Sequence, residues 1–207
     1  MMDDYSRMTV KEFLIALSSS SPTPGGGSAA AISLANSAAL TCMVCDLTLS
    51  KEKWQSGWDA AEKIQNIAAP IFLDALELAN KDASAFNRVM DAWKLPKNND
   101  QEIEQRKKVI SEATLNAANV PMETAIKASN LLSLLPELAE KGNSNAITDV
   151  AVAALLAHSS SIGAIYNVRI NLLDLNEKGL NNKTIEISKK VEENLSKTLE
   201  IVDKKMS

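Results

Sequence analysis

Two aspartates stand where the helical pattern calls for apolar residues. From Ile71 the sequence repeats Ile71, Ala75, Leu78, then Phe86, Val89 and Trp93 at helical spacing, and Asp82 fills the gap on that face. A carboxylate in such a stripe costs free energy unless it is paired or hydrogen-bonded. It is either a structural ion pair or cap to another helix, or a carboxyl group with a raised pKa suited to acid–base work. Asp149 repeats the anomaly in "NAITDVAVAALLAHSSSIGAIYNVRINLL", which is apolar almost all round. At about 100° per residue, Ser160, Gly163, Asn167 and Asn171 fall within about 40° of Asp149, a polar seam interrupted by Leu156. Asp149 and Asn167 lie about 27 Å apart at 1.5 Å per residue, too far for one small ligand to touch both. Asn167 and Asn171 are therefore read as bridges to neighbouring helices.

Two loops complete the set. "KLPK" places Lys94 and Lys97 around the proline that ends the Asp82 helix. Each lysine is either a solvated charge or, if the loop folds back, a partner for Asp82 or for an anionic substrate. "PTPGGGS" spends three of the seven glycines, Gly25, Gly26 and Gly27, on one turn before Ser28. It lacks the lysine of a phosphate-binding P-loop, and no strand precedes it as a dinucleotide fingerprint requires. Its glycines either make a tight corner or let a ligand or helix approach the main chain, where backbone N–H groups can hold an anion or a carbonyl oxygen. Cys42 and Cys45 form C-x-x-C inside an apolar helical run with a single histidine, His158, in the whole chain. A structural zinc site needs four ligands, so the cysteines are read as core residues and no metal site is expected.

These residues need helices to position them. The chain has 207 residues, 45% hydrophobic and 4% aromatic, with few glycines and prolines, so the core must be built from Ala, Leu, Ile and Val. "TVKE" at Thr9 is a capping box opening a short helix. An alanine-rich central helix follows the glycines. A segment over 51–93 contains Pro70, and another over 101–138 contains Pro121, each expected to kink or break there. "EKGNSN" stops the fourth segment, a mostly apolar helix covers 146–175, 179–182 form a turn, and an amphipathic helix closes the chain. No alternating strand pattern, fixed repeat or linker is found. The expected fold is all-α, one domain over 1–207, a bundle of about five or six long helices. A net charge of −4, from 22 basic and 26 acidic residues, argues against nucleic acid. No apolar run is read as reaching the ~18 to 20 residues of a membrane span, and "MMDDYSRMTV" lacks a signal-peptide core, so a cytoplasmic location is expected.

Four pieces in order and at matching spacing carry a resemblance: "SSSSPTPGGGSAAA", "LANKDASAFNRVMDAWKLPK", "VP" followed by "GNSNAITDVAVAALL", and "GAIYNVRINL". Together they resemble the cyclodeaminase/cyclohydrolase family of folate enzymes over nearly the whole chain, with Thr148 where many relatives carry Ser. The resemblance implies an all-α homodimer acting on a tetrahydrofolate derivative, with no cofactor beyond that substrate. The implied reaction is hydrolysis of 5,10-methenyltetrahydrofolate to 10-formyltetrahydrofolate, the alternative being cyclodeamination of 5-formiminotetrahydrofolate. A non-catalytic helical scaffold on the same fold is the reading from another class. No formiminotransferase segment is read in this sequence, which weakens deamination as the sole role. On the matched positions the resemblance implies Asp82 as the acid–base residue and Asp149 as stabiliser of the cation or orienter of the pterin. Lys97 would tune a carboxylate or the attacking water. Gly25, Gly26, Gly27, Ser28, Asn143 and Asn145 would hold pterin polar groups or a glutamate tail.

Overall fold

The computed structural model describes residues 4–173, 175 and 177–207. Its α-helices are α1 (Val10–Leu17), α2 (Gly26–Leu49), α3 (Trp58–Trp93), α4 (Asp100–Leu132), α5 (Leu135–Lys141), α6 (Ile147–Asn171) and α7 (Lys178–Met206), with three short 3-10 turns and no strand among the described residues. Five of these are long, so the all-α bundle expected from composition is what forms. Thr9 caps α1 reciprocally: its hydroxyl accepts from the Glu12 N–H, while Glu12 accepts from the Thr9 N–H at 2.7 Å. Asn99 opens α4 in the same manner, accepting from the Glu102 N–H at 2.9 Å.

The two prolines do not interrupt their helices; α3 runs through Pro70 and α4 through Pro121. Packing along the rest of each helix offsets the one missing hydrogen bond at each site. The break falls instead at Ser133–Leu134, where Pro136 enters the first turn of α5, a position that needs no N–H. The turn expected over 179–182 is the opening of α7.

α2 is central, packed against α3, α4 and α6. Its small residues let neighbours approach closely, and its fully buried hydroxyls are satisfied: Ser37 donates to the Ala153 carbonyl at 2.7 Å, Thr41 to Ser37 and Thr48 to Val44. α6 lies antiparallel to it. Ala30 meets Gly163 near one end, and Asn143, just ahead of α6, donates to the Leu47 carbonyl at the other. The reading that no apolar stretch reaches span length is corrected: Gly26–Leu49 and Ser144–Asn171 are both long and apolar enough by length and composition. Both are packed helices of the bundle, with 56% and 44% of those apolar windows buried against protein.

Candidate active site

The stripe that carries Asp82 changes character at that residue. Ile71, Ala75 and Leu78 are buried, as a core stripe should be, whereas Phe86 is 39% and Trp93 53% exposed. Asp82 therefore sits at the edge of the core, not in its middle. Its neighbour is the N-terminus of α2. Ser28, fully buried, donates its hydroxyl to Asp82 Oδ2 and lies equally near the Ala79 carbonyl, both at 3.1 Å. Asp82 thus supplies the acceptor that Gly25, at the N-cap without a side chain, cannot. The structural reading, a cap on another helix, is therefore what the carboxylate's hydrogen bonds show. Burial raises the Asp82 carboxyl above the usual carboxylate range, while hydrogen bonds from Ser28 draw it partway back.

One of the three glycines is required by this contact. No glycine has positive φ, so backbone conformation does not explain the three in a row. A Cβ on Gly27 would lie 2.1 Å from Asp82 Oδ1, while one on Gly26 would make an ordinary 3.6 Å contact with the Asn167 side chain. Gly27 is the position where the helix must lack a side chain for the carboxylate to reach its end. Gly27→Ala is expected to swing the carboxylate off Ser28, lowering kcat by about 10²-fold or more, since a misplaced acid–base group forfeits most of its contribution. Gly26→Ala should fold with stability within about 1 kcal/mol of wild type. Parallel kinetics and thermal melts of the two variants check this; equal loss in both would show that the turn, and not the carboxylate, is what the glycines serve.

Around Asp82 lies a cavity of about 250 Å³, lined by Pro22, Gly25–Gly27, Asp82, Phe86 and Val89 on one side and Ala117, Asn167 and Asn171 on the other. Of the two asparagines expected to bridge helices, Asn171 does so, to α4, while Asn167 bonds within α6. Asn167 Nδ2 donates to the Gly163 carbonyl at 2.9 Å, and Asn171 Nδ2 to the carbonyls of Ala117 and Asn167. Each amide is fixed by its nitrogen, and its oxygen has no donor among the described residues, which suits it to accept from a ligand. The sequence marks them twice, on the polar seam of α6 and within "GAIYNVRINL", and the C-terminal end of that seam is this cavity wall.

The remaining expected site residues lie elsewhere. Asn143 is buried and fully engaged: it donates to the Leu47 carbonyl at 3.0 Å and accepts from the Asn145 N–H at 2.9 Å. It anchors the far end of α2, some 30 Å from Gly27 at 1.5 Å per residue over the intervening helix. Asn145 is exposed and Asp149 half-buried in the first turn of α6, at that same far end. Lys97 sits in the exposed loop after α3 and does not line the cavity. Within one chain, then, Asp82, Ser28 and the glycines converge, whereas Asp149, Asn143, Asn145 and Lys97 do not join them.

The thiol and histidine are accounted for without chemistry. Burial raises both cysteine thiols, Cys45 to about 12, which removes the thiolate that redox or metal work needs. His158 Nε2 lies 2.8 Å from Glu192 on α7. Among the described residues no group of three metal-ligating side chains comes together.

The formiminotransferase-cyclodeaminase family profile matches residues 9–193. Methenyltetrahydrofolate cyclohydrolase from Methylorubrum extorquens is 38% identical over 82% of this chain and 82% of its own. Formimidoyltransferase-cyclodeaminase from Gallus gallus is 33% identical over 83% of this chain, which spans about a third (32%) of that longer protein. The crystal structure of formiminotetrahydrofolate cyclodeaminase from Thermotoga maritima superposes with a TM-score of 0.79 at 30% identity, covering 96% of both chains.

Proposed function

Because this chain belongs to the formiminotransferase-cyclodeaminase family, we propose that it is a folate one-carbon enzyme that hydrolyses 5,10-methenyltetrahydrofolate to 10-formyltetrahydrofolate at the Asp82 cavity. The observation that carries the reading is a carboxyl group with a raised pKa, held in a fixed position by Ser28 and Gly27 on the wall of a ligand-sized cavity. The reaction adds water to an amidinium carbon. The ionised Asp82 takes a proton as the water oxygen bonds to that carbon, giving a neutral tetrahedral adduct. The same carboxyl then delivers the proton to N5 as the C–N5 bond breaks, and the adduct's hydroxyl loses its proton to solvent as the formyl carbonyl forms. One positive charge on the substrate becomes one released proton. A carboxylate opposite the cation favours binding as well as attack, and the acceptor oxygens of Asn167 and Asn171 suit the N–H groups of a reduced pterin.

Cyclodeamination is the second reading, favoured by the match to the Thermotoga maritima enzyme across 96% of both chains. There N10 attacks the formimino carbon, and the carboxyl moves a proton from N10 to the departing ammonia. The two reactions share a tetrahedral carbon between nitrogens and the same demand on Asp82. Offering the purified protein each substrate in turn separates them: absorbance loss of the methenyl compound marks hydrolysis, and ammonia release from the formimino compound marks deamination. Consumption of neither would refute both. If Asp82 acts first as a base, kcat/KM falls as pH is lowered through an apparent pKa above the ordinary ~3.9 of aspartate. A profile with no fall at or above the ordinary aspartate value would remove Asp82 from that role.

We propose further that the working unit is a homodimer joined through α2 and α6. These helices leave large apolar side chains uncovered, Met43 and Leu47 near the C-terminus of α2 and Val152, Leu155, Tyr166 and Ile170 on α6. Tyr166 and Ile170 are over 60% exposed, at 65% and 62%, beside the cavity residues Asn167 and Asn171. Patches of this kind mark protein–protein contacts. A two-fold axis perpendicular to the antiparallel pair sets the α6 N-terminus of one copy against the α2 N-terminus of the other. Asp149 of the partner subunit would then face the cavity that its own chain cannot reach.

A further inference from the structure

We infer that the exposed stripe of α3 beyond Asp82, together with Arg106 of α4, is the cradle for the aminobenzoyl-glutamate arm of the substrate. This rests on the folate reading above and assigns the part of the molecule that does not react. Phe86, Val89 and Trp93 fall within about 40° of Asp82 around α3 at 100° per residue, so they extend the cavity wall in one line. Phe86 and Val89 already line the cavity, and Met90 flanks them at 42% exposure. Asp82 and Trp93 are about 16 Å apart along the helix at 1.5 Å per residue, comparable to the reach of an extended folate from pterin to tail. Apolar and aromatic side chains left open beside a polar reaction pocket suit a flat benzoyl ring.

The far end of this wall is cationic. The Arg106 guanidinium stacks over the Trp93 ring at 4.8 Å and donates from Nη2 to the Trp93 carbonyl at 3.0 Å. Its Nε is buried and has no hydrogen-bond partner among the described residues. Arg106 also shares a face with Ala117, eleven residues on in α4, which lines the cavity opposite Phe86. Beyond the cavity, the aligned faces of the two helices place a carboxylate at the reacting end and a guanidinium, held against Trp93, at the other. Lys97, exposed four residues past Trp93, adds a second positive charge at that end. Glu102, one turn before Arg106, is engaged by the Asn98 N–H, from which it accepts at 2.7 Å. A planar, preorganised guanidinium with free N–H groups matches the α- or γ-carboxylate of a glutamate. In this placement Lys97 serves the tail and not the reacting carboxyl.

The test compares the methenyl substrate, or its formimino counterpart if that is the one consumed, with the same compound built on pteroate, which lacks glutamate. Wild-type protein is expected to show KM about tenfold higher without the glutamate, the size of one charge-assisted contact. Arg106→Gln should raise KM for the glutamylated substrate by about the same factor and leave KM for the pteroate unaltered. Equal KM for both substrates in the wild type would overturn the tail subsite while the folate activity stood. So would an Arg106→Gln effect of the same size on both. Wild-type protein that turned over neither compound would remove the activity, and the subsite with it.

Discussion

Asp82→Asn is expected to lower kcat by about 10²- to 10⁴-fold, the range that a positioned general acid–base group contributes, while the protein becomes more stable at neutral pH. The two halves of this result have one cause. Asp82 is a carboxylate drawn out of water at the edge of the core, and its pKa is raised because burial disfavours the charge more than Ser28 favours it. A group whose folded pKa lies above its unfolded value weakens the fold as pH rises from the unfolded value through the folded one. For Asp82 that window begins near the ordinary aspartate value of ~3.9 and extends upward. Asn has nearly the same shape and no charge, and its oxygen can still accept from Ser28. The melting temperature of the variant should therefore exceed that of wild type at pH 7, with the gap closing as pH approaches 3.5. Melts at both values, beside kinetics at pH 7, read both effects. An Asn variant that lost stability at neutral pH would show Asp82 to be a structural cap first and a reacting group second.

Asp82 was legible because a strict pattern surrounds it: a helical stripe tolerates one polar residue only for a reason, and that reason is local to its face. The glycine turn was legible as an anomaly of composition, but its cause was not. The clash that forbids a side chain at Gly27 is with a residue 55 positions away, so only the packing of α2 on α3 exposes it. Asn167 and Asn171 are visible on the seam, but the bridging expected of both holds only for Asn171, which reaches the Ala117 carbonyl of α4, whereas Asn167 bonds back to Gly163 within α6. Which way their oxygens face depends on where α3 and α4 lie. Phe86 and Trp93 had the spacing of core residues and are exposed, because periodicity reports a shared face without reporting what covers it. Pro70 and Pro121 mislead for a related reason: a proline's local cost is outweighed when it lies within a packed helix of more than 30 residues. The grouping of Asp149, Asn143 and Asn145 with Asp82 came from resemblance, which marks positions but carries no coordinates. The 27 Å between Asp149 and Asn167 was already implied by helix rise, and it is the same separation that recurs between the two clusters in the folded chain.

That separation leads to the last expected result. Asp82→Asn and Asp149→Asn proteins, each strongly impaired alone, should recover activity when mixed and allowed to exchange subunits. In a hybrid dimer whose sites are built across the α2–α6 face, one site collects both substitutions and the other collects neither. Random exchange makes about half of the dimers hybrids with one intact site of two, so recovery should approach a quarter of wild-type activity. If each chain carried a complete site, every site would hold one substitution and mixing would restore nothing. The exposed band on α2 and α6 predicts how the rescue is abolished. Leu155→Glu, placed in both chains, sets like charges into an apolar contact and should dissociate the dimer, seen as a halved mass in sedimentation, with loss of activity in the same samples. Dissociation with full activity retained would separate the interface from the site and leave Asp149 to the stability of α6, where a carboxylate in the first turn favours the helix on its own account.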